Sequence, residues 1–175
     1  ERIVCCKGTR IMLSKIKGWN SYALLKTVQV ATLLTLPFAL FVFVQQFSWF
    51  YLFVTLLSVL LISKIGHSIG QHRYFSHRSF KTGPKRHAML VLGSVFTGNG
   101  SPLAFATKHI HHHKTSDTDK DVHSPKLDGA LHAALLWPMG TQDYFLNVKG
   151  AQLPMHCLKD RLIMRVHFNY FLIWF

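Results

Sequence analysis

The sequence predicts an all-α integral membrane protein: a helical hairpin in the bilayer, with a cytoplasmic helical cap that carries clustered histidines. Three observations predict it. Two apolar runs of spanning length, residues 23–44 and 47–65, follow one another with only Gln45 and Gln46 between them. Lys and Arg number 20 against 7 Asp and Glu, a formal charge of +13, and they flank the pair of runs while sparing its turn. Twelve histidines occur in 175 residues, and six of them fall in two ordered clusters. So basic a chain would suit a nucleic-acid binder, but a mean hydropathy of +0.20 argues against that partner. Disorder is excluded by 49% hydrophobic residues with 14 Phe among them. Three cysteines, two of them adjacent as Cys5 and Cys6, cannot build a disulfide framework and suit a reducing compartment.

Residues 1–22 read as a cytoplasmic segment bearing Arg2, Lys7, Arg10, Lys15 and Lys17. The next 43 residues, 23–65, read as the transmembrane hairpin. Lys26 is the only charge in its first run and Lys64 lies at the end of its second, where the long stem can snorkel to the interface. A span needs about 20 residues to cross about 30 Å of hydrocarbon, and both runs meet that length. Pro37 is tolerable in a membrane helix. A signal peptide fits poorly, because the first run is long, begins late and is followed at once by another. The competing reading is a buried helical hairpin of a soluble protein. With so short a turn, both ends of the hairpin lie on one side. Lys64, Arg73, Arg78, Lys81, Lys85 and Arg86 beyond it place that side in the cytoplasm by the positive-inside rule. Contact with anionic lipid headgroups follows from the same charges.

Residues 66–161 then form the cytoplasmic region. The stretch 88–107 is long enough to span, but Gly98, Asn99, Gly100, Ser101 and Pro102 break it. A helix–turn–helix lying at the membrane surface or against protein is expected there. Residues 114–128 read as a polar, Asp-rich loop and 130–148 as a short amphipathic helix. A third span is expected to begin near Leu162 and to be cut off within 162–175. With Glu1 in place of an initiator Met, the sequence reads as a piece of a longer protein.

The histidine clusters are His72-Arg-Tyr-Phe-Ser-His77 and His109-Ile-His-His112-His113. On a helix turning about 100° per residue, His109, His112 and His113 share an arc of about 100°, while His111 falls about 200° round from His109. Three imidazoles on one face can bind a metal together. His72 and His77 lie about 140° apart on a regular helix, so they converge only if the helix loosens or ends between them, or they serve different metals. A solvated polar run is the plainer account of consecutive histidines, but these are ordered and lie mid-chain. The scattered His67, His87, His123, His132, His156 and His167 are expected at the surface or in hydrogen bonds. Cysteine is absent from both clusters, which excludes a thiolate site. An all-imidazole set suits Fe, Cu, Zn or Ni. Clusters at the ends of membrane helices, near acyl chains, suit oxidative chemistry on a lipid. Both lie on one side of the bilayer only if 88–107 does not cross it.

At these residues the chain resembles the membrane fatty-acyl desaturases, the stearoyl-CoA (Δ9) type and its bacterial relatives. Residues 70–80, GQHRYFSHRSF, resemble the family's first box, HxxxxH followed by Arg; His109 to His113 resembles the second, HxxHH. Residues 114–125, KTSDTDKDVHSP, resemble the tail of that second box, and the resemblance extends over about residues 20–175. It implies an oxygen-dependent desaturase with a non-haem di-iron centre, introducing a cis double bond into a fatty-acyl chain linked to CoA or lipid. It also implies His72, His77, His109, His112 and His113 as iron ligands, O2 as co-substrate, and electrons from cytochrome b5 or a ferredoxin-like donor. Membrane lipid is an implied partner and nucleic acid is not. The membrane would be the endoplasmic reticulum in a eukaryote and the inner or plasma membrane in a bacterium.

The departures from the family pattern are specific. Its third box, another HxxHH, would lie beyond Phe175, so this piece alone is expected to be inactive. Lys108-His109-Ile110 stands where the family has Asp-His-Arg, and Val122 stands where it has Pro before His123. These changes leave the acyl carrier and the double-bond position open. Competing readings are a lipid hydroxylase or a sterol or sphingolipid oxidase of the same superfamily, an inactive or truncated paralogue, and a metal transporter or sensor with a His-rich loop. Arg73, Arg78, Lys81, Lys108 and Lys114 could pair with phosphates of a CoA headgroup, although membrane topology accounts for most of them. Asp117, Asp119 and Asp121 could contact the histidines from behind, but a solvated loop is the plainer expectation.

Overall fold

The structure is a computed structural model in which residues 22–121, 123–133 and 152–174 are described. Most of the N-terminal segment and most of the helix expected over 130–148 lie outside the described residues. Among the described residues there are helices and turns and no strand.

Helix α1 (Tyr22–Gln45) and helix α2 (Trp49–Ser76) form the hairpin read from the two apolar runs. The turn between them is closed by the N–H of Gln46 on the carbonyl of Val42 and that of Leu52 on the carbonyl of Ser48. Phe47 packs edge-on against both Phe43 and Trp49 at this tip. Large apolar side chains point outward along both helices, with Leu34 75% and Trp49 77% exposed. Such a surface is stable against hydrocarbon and costly in water. Among the described residues α2 alone is long and apolar enough to cross a membrane; in α1 the apolar part whose side chains are described is Val30–Gln45.

From Ile62 to Ser76 α2 is wound as a π-helix. Against this wider segment pack α3 (Pro84–Val95) and α4 (Pro102–Thr115), with α7 (Arg161–Phe168) closing over both. The stretch 88–107 is thus two helices with a turn between them. Gly98 and Gly100 adopt φ of +72° and +89°, and Ser101 caps α4 by accepting the N–H of Ala104, with Pro102 behind it in the first turn. Short helices α5 (Pro125–Asp128), α6 (Met155–Leu158) and α8 (Tyr170–Trp174) complete the described elements.

The core lies between α2, α3, α4 and α7 and includes Phe75, Val91, Val95, Leu103, Ile163 and Val166. Residues 162–174 are helical, as α7 and α8 with Asn169 between them, and α7 buries Ile163, Met164, Val166 and His167 on one face. Asp160 starts α7 by accepting the N–H groups of Leu162 and Ile163. Gln71 is fully buried and ties the layers together: its Nε2 donates to the carbonyls of Ser94 and Gly100. The Tyr170 hydroxyl donates to the carbonyl of Val95 and accepts the N–H of Gly100. These bonds fix α4, and the histidines on it, relative to α2.

Candidate metal centre

The first histidine pair sits where the π-helical winding of α2 runs out. In this winding residue i+5 stacks over residue i, as the N–H of His77 on the carbonyl of His72 shows at 3.1 Å. The five-residue spacing that diverges on an α-helix therefore converges here, and the two Nε2 atoms lie 3.1 Å apart. The helix then stops sharply: Arg78 takes φ +53° and the N–H of Ser79 returns to the carbonyl of Arg73.

The second cluster comes from α4. His109 and His113 are one turn apart, with their Nε2 atoms at 3.0 Å, and His109 Nε2 is 3.1 Å from His77 Nε2. The ligand atoms of His72, His77, His109 and His113 all fall within 4.8 Å of one another. Phe105, a turn earlier on α4, stacks on the His109 ring, and His67 stands edge-on to Phe105 behind it.

His112 shares the helix arc but faces another group. Its Nδ1 lies 2.7 Å from Asp121 Oδ1, and its ring stacks on His123 at 4.1 Å between centroids. The structure therefore brings four of the five expected ligands together and holds the fifth beside them, its ring 5.8 Å from that of His113. His111 points the other way, as the helical arc requires. It is buried, and its Nε2 donates to the carbonyl of Lys120 in the loop after α4.

Burial and the neighbouring histidines favour the neutral form of His72, His109 and His113. Burial, with His113, His72 and His77 alongside, pushes His109 down to about 3. Burial first, then neighbouring histidines, also holds His72 and His113 below the ordinary imidazole value. A neutral imidazole nitrogen carries one proton or one lone pair and joins one linear hydrogen bond. His77 Nε2 and His109 Nε2 each have two nitrogen neighbours, so the three short contacts among these four rings cannot all be hydrogen bonds. One cation accepting all four lone pairs removes the conflict. The spacing agrees, since metal–nitrogen bonds of about 2.0–2.1 Å set neighbouring ligands of one ion about 3.0–3.4 Å apart. The donor set fits a first-row transition metal.

Sequence reasoning prefers a solvated loop for Asp121 over contact with the histidines, leaves His123 among the scattered histidines, and does not single out the fully buried Gln71. Asp121 lies in the Asp-rich loop, yet its side chain is fully buried. Burial pushes its carboxyl up, but hydrogen bonds from His112 and from the N–H groups of Asp117 and His123 outweigh that and hold it below the usual range. Of the cations considered for phosphate, Lys108 is buried inside the fold, and burial lowers it to about 7. Arg78 and Lys81 line a cavity of about 350 Å³ together with Tyr74, His87, His156 and Asp160.

Curated proteins of known name resemble the chain. It is 30% identical over 68% of its length to the hex-5-enoyl-[acyl-carrier protein] acetylenase of Moorena producens (strain JHB), covering 39% of that protein. It is 34% identical over 68% of its length to delta-9 acyl-lipid desaturase 2 of Arabidopsis thaliana, covering 38%. It is 28% identical over 83% of its length to an acyl-CoA desaturase of Cyprinus carpio, covering 43%. The chain thus spans about two fifths of the length of these relatives. No protein-family model matches it, and no solved structure does.

Proposed function

The chain belongs to the membrane fatty-acyl desaturase family, and on that premise we propose that it is the part of an O2-dependent acyl desaturase that carries two of its histidine boxes. The observation that supports this reading most is the convergence of four Nε2 atoms from the end of α2 and from α4. In this reading His72, His77, His109, His112 and His113 hold iron, and the further donors a di-iron site needs belong to the length of the relatives that this chain does not cover. When bound, such a centre supplies the oxygen activation by which two hydrogens leave adjacent acyl carbons as a cis double bond forms. Two electrons from a cytochrome b5 or ferredoxin-type donor and two protons from water would complete the reduction of O2 to two waters.

The chain's own residues set the ligand geometry. The π-helical end of α2 aligns His72 over His77, and the regular turn of α4 aligns His109 with His113. Phe105 covers one face of His109, which limits water access and favours the neutral ring. Gln71 and Tyr170 lock the two helices in register.

The membrane placement belongs to the same proposal. The exposed apolar faces of α1 and α2 meet acyl chains, the cations after α2 lie in the cytoplasm, and the histidine centre faces that side. The relatives' names cover three acyl carriers: carrier protein, lipid and CoA. The acyl chain is the substrate they share, and a Δ9-type reaction on acyl-CoA or acyl-lipid is the finer form of the proposal.

Expression of the full-length protein in a desaturase-deficient strain, with fatty-acid analysis of the lipids, tests it. A new cis-monounsaturated acid is expected, and its loss with retained membrane insertion is expected for His109→Ala. A hydroxylated product, or no dependence on His109, would refute the reading. His111→Ala should keep both product and iron, because that ring faces the loop.

A further inference from the structure

We propose that Asp121 is a positioning residue for His112, fixing its ring with Nδ1 protonated so that Nε2 is the nitrogen left for the metal; this rests on the desaturase reading above. The 2.7 Å separation of His112 Nδ1 and Asp121 Oδ1 is that of a charge-assisted hydrogen bond. An imidazole that donates through Nδ1 keeps its Nε2 lone pair free, and the carboxylate makes that lone pair more basic.

The rival account makes His112, Asp121 and His123 a separate metal group, since their ligand atoms also lie within 4.8 Å of one another. The bonding around the carboxylate argues against it. Oδ1 accepts from His112 and from the N–H of His123, and Oδ2 accepts the N–H of Asp117. A carboxylate already engaged three times, with no exposed surface, has little left to offer an ion.

The loop is built to present this group. Asp117 takes φ +60°, the N–H of Asp121 bonds to the carbonyl of Thr118, and Ser124 Oγ donates to Asp117. These contacts turn Asp121 inward beneath α4 while Asp119 stays exposed. His123 then stacks on the His112 ring and restrains its plane. His112 is thus held at Nδ1 and along one face, which is what a ligand needs before the metal arrives.

The test uses the purified full-length protein. Wild type, Asp121→Asn and Asp117→Asn are titrated with Fe(II), and bound iron, the Mössbauer spectrum and the melting temperature are measured. Asp121→Asn should weaken iron binding by about 10–100-fold, as loss of such a carboxylate does elsewhere, and should change the spectrum of one iron. Asp117→Asn removes a second carboxylate from the same loop but keeps the backbone N–H that bonds Asp121 and an Oδ1 that accepts from Ser124, and it should keep wild-type iron affinity. Unchanged affinity and spectrum in Asp121→Asn would overturn the proposal, as would an equal loss in Asp117→Asn. If Asp121→Asn does not accumulate, Asp121→Glu keeps the charge while displacing the oxygens, and an unaltered spectrum there overturns it equally. A folded wild-type protein that takes up no iron would sink the desaturase reading itself.

Discussion

Gly66→Ala and Gly93→Ala should have opposite effects, although the two glycines face each other across the same contact. A Cβ built on Gly66 would lie 2.5 Å from the carbonyl oxygen of Gly93 and 2.8 Å from the Thr97 methyl. The methyl can turn aside, but the oxygen belongs to the backbone of α3 and moves only with the helix. A Cβ on Gly93 meets nothing nearer than Gly66 Cα at 3.7 Å and Ile65 Cγ2 at 3.8 Å, which is ordinary contact. Alanine in place of a helical glycine gains about 0.5–1 kcal/mol, and Gly93→Ala should keep that gain. Gly66→Ala adds overpacking of about 1–3 kcal/mol, for a net loss of about 1–2 kcal/mol. The displacement would reach the metal centre as well. Gly70 lies close against Ser94 Oγ one turn along, and Ser94 supplies a carbonyl that holds Gln71. Thermal melts of the full-length variants in one detergent read the stability, and iron content reads the site. Gly66→Ala should melt several degrees lower and hold less iron, while Gly93→Ala should melt at or above wild type. Indistinguishable melts for the two variants would refute the close backbone approach.

Gln71→Leu removes the donor shared by Ser94 and Gly100; the Ser94 carbonyl keeps the Thr97 hydroxyl, while the buried Gly100 carbonyl loses its amide donor, at a cost of about 1–3 kcal/mol. Chemical denaturation should show that loss, and a stability equal to wild type would mean that water or another donor replaces the amide. In iron-free protein, acid should act through His109, whose folded value of about 3 lies below its ordinary 6.5. Between those values the unfolded chain takes up a proton that the folded site refuses, so the stability is full above about pH 6.5 and drains away as pH falls toward 3. A melting profile flat across that window, or as steep in His109→Ala, would contradict the burial of this ring.

The parts of this structure legible in the sequence are those governed by local rules. Apolar run length marks α1 and α2, and the Gly98–Pro102 break marks the turn before α4. The turn of α4 unites His109 with His113 and sends His111 away. What the local rules do not reach is tertiary. His112 lies on the correct arc, but Asp121, nine residues on, claims its Nδ1 only because the loop folds under the helix. Asp-rich composition says solvated, yet two backbone N–H donors and an imidazole make one of these carboxylates cheap to bury. The run from Leu162 shows the same limit. Its apolar count suits lipid, but Arg161 and Arg165 give α7 a polar side, and the opposite face packs into the core.

The first histidine box shows why a spacing has no meaning apart from the winding that carries it. His67, His72 and His77 recur every five residues, a step that an α-helix spreads around its surface and a π-helix draws into a column. The column explains the close approach of His72 to His77. It does not by itself recruit His67, whose Nδ1 lies 3.3 Å from both Gln71 Oε1 and Asn99 Nδ2 and whose ring rests on Phe105. Position along the column decides the difference. His77 is the last residue before Arg78 turns the chain away, so it and His72 open toward α4, while His67 lies one repeat deeper, where its Nδ1 either donates to Gln71 or accepts from Asn99, according to tautomer. An insertion of one residue between His72 and His77 should therefore do more harm than any single non-histidine substitution there, because it moves one ligand off the column while leaving every side chain present.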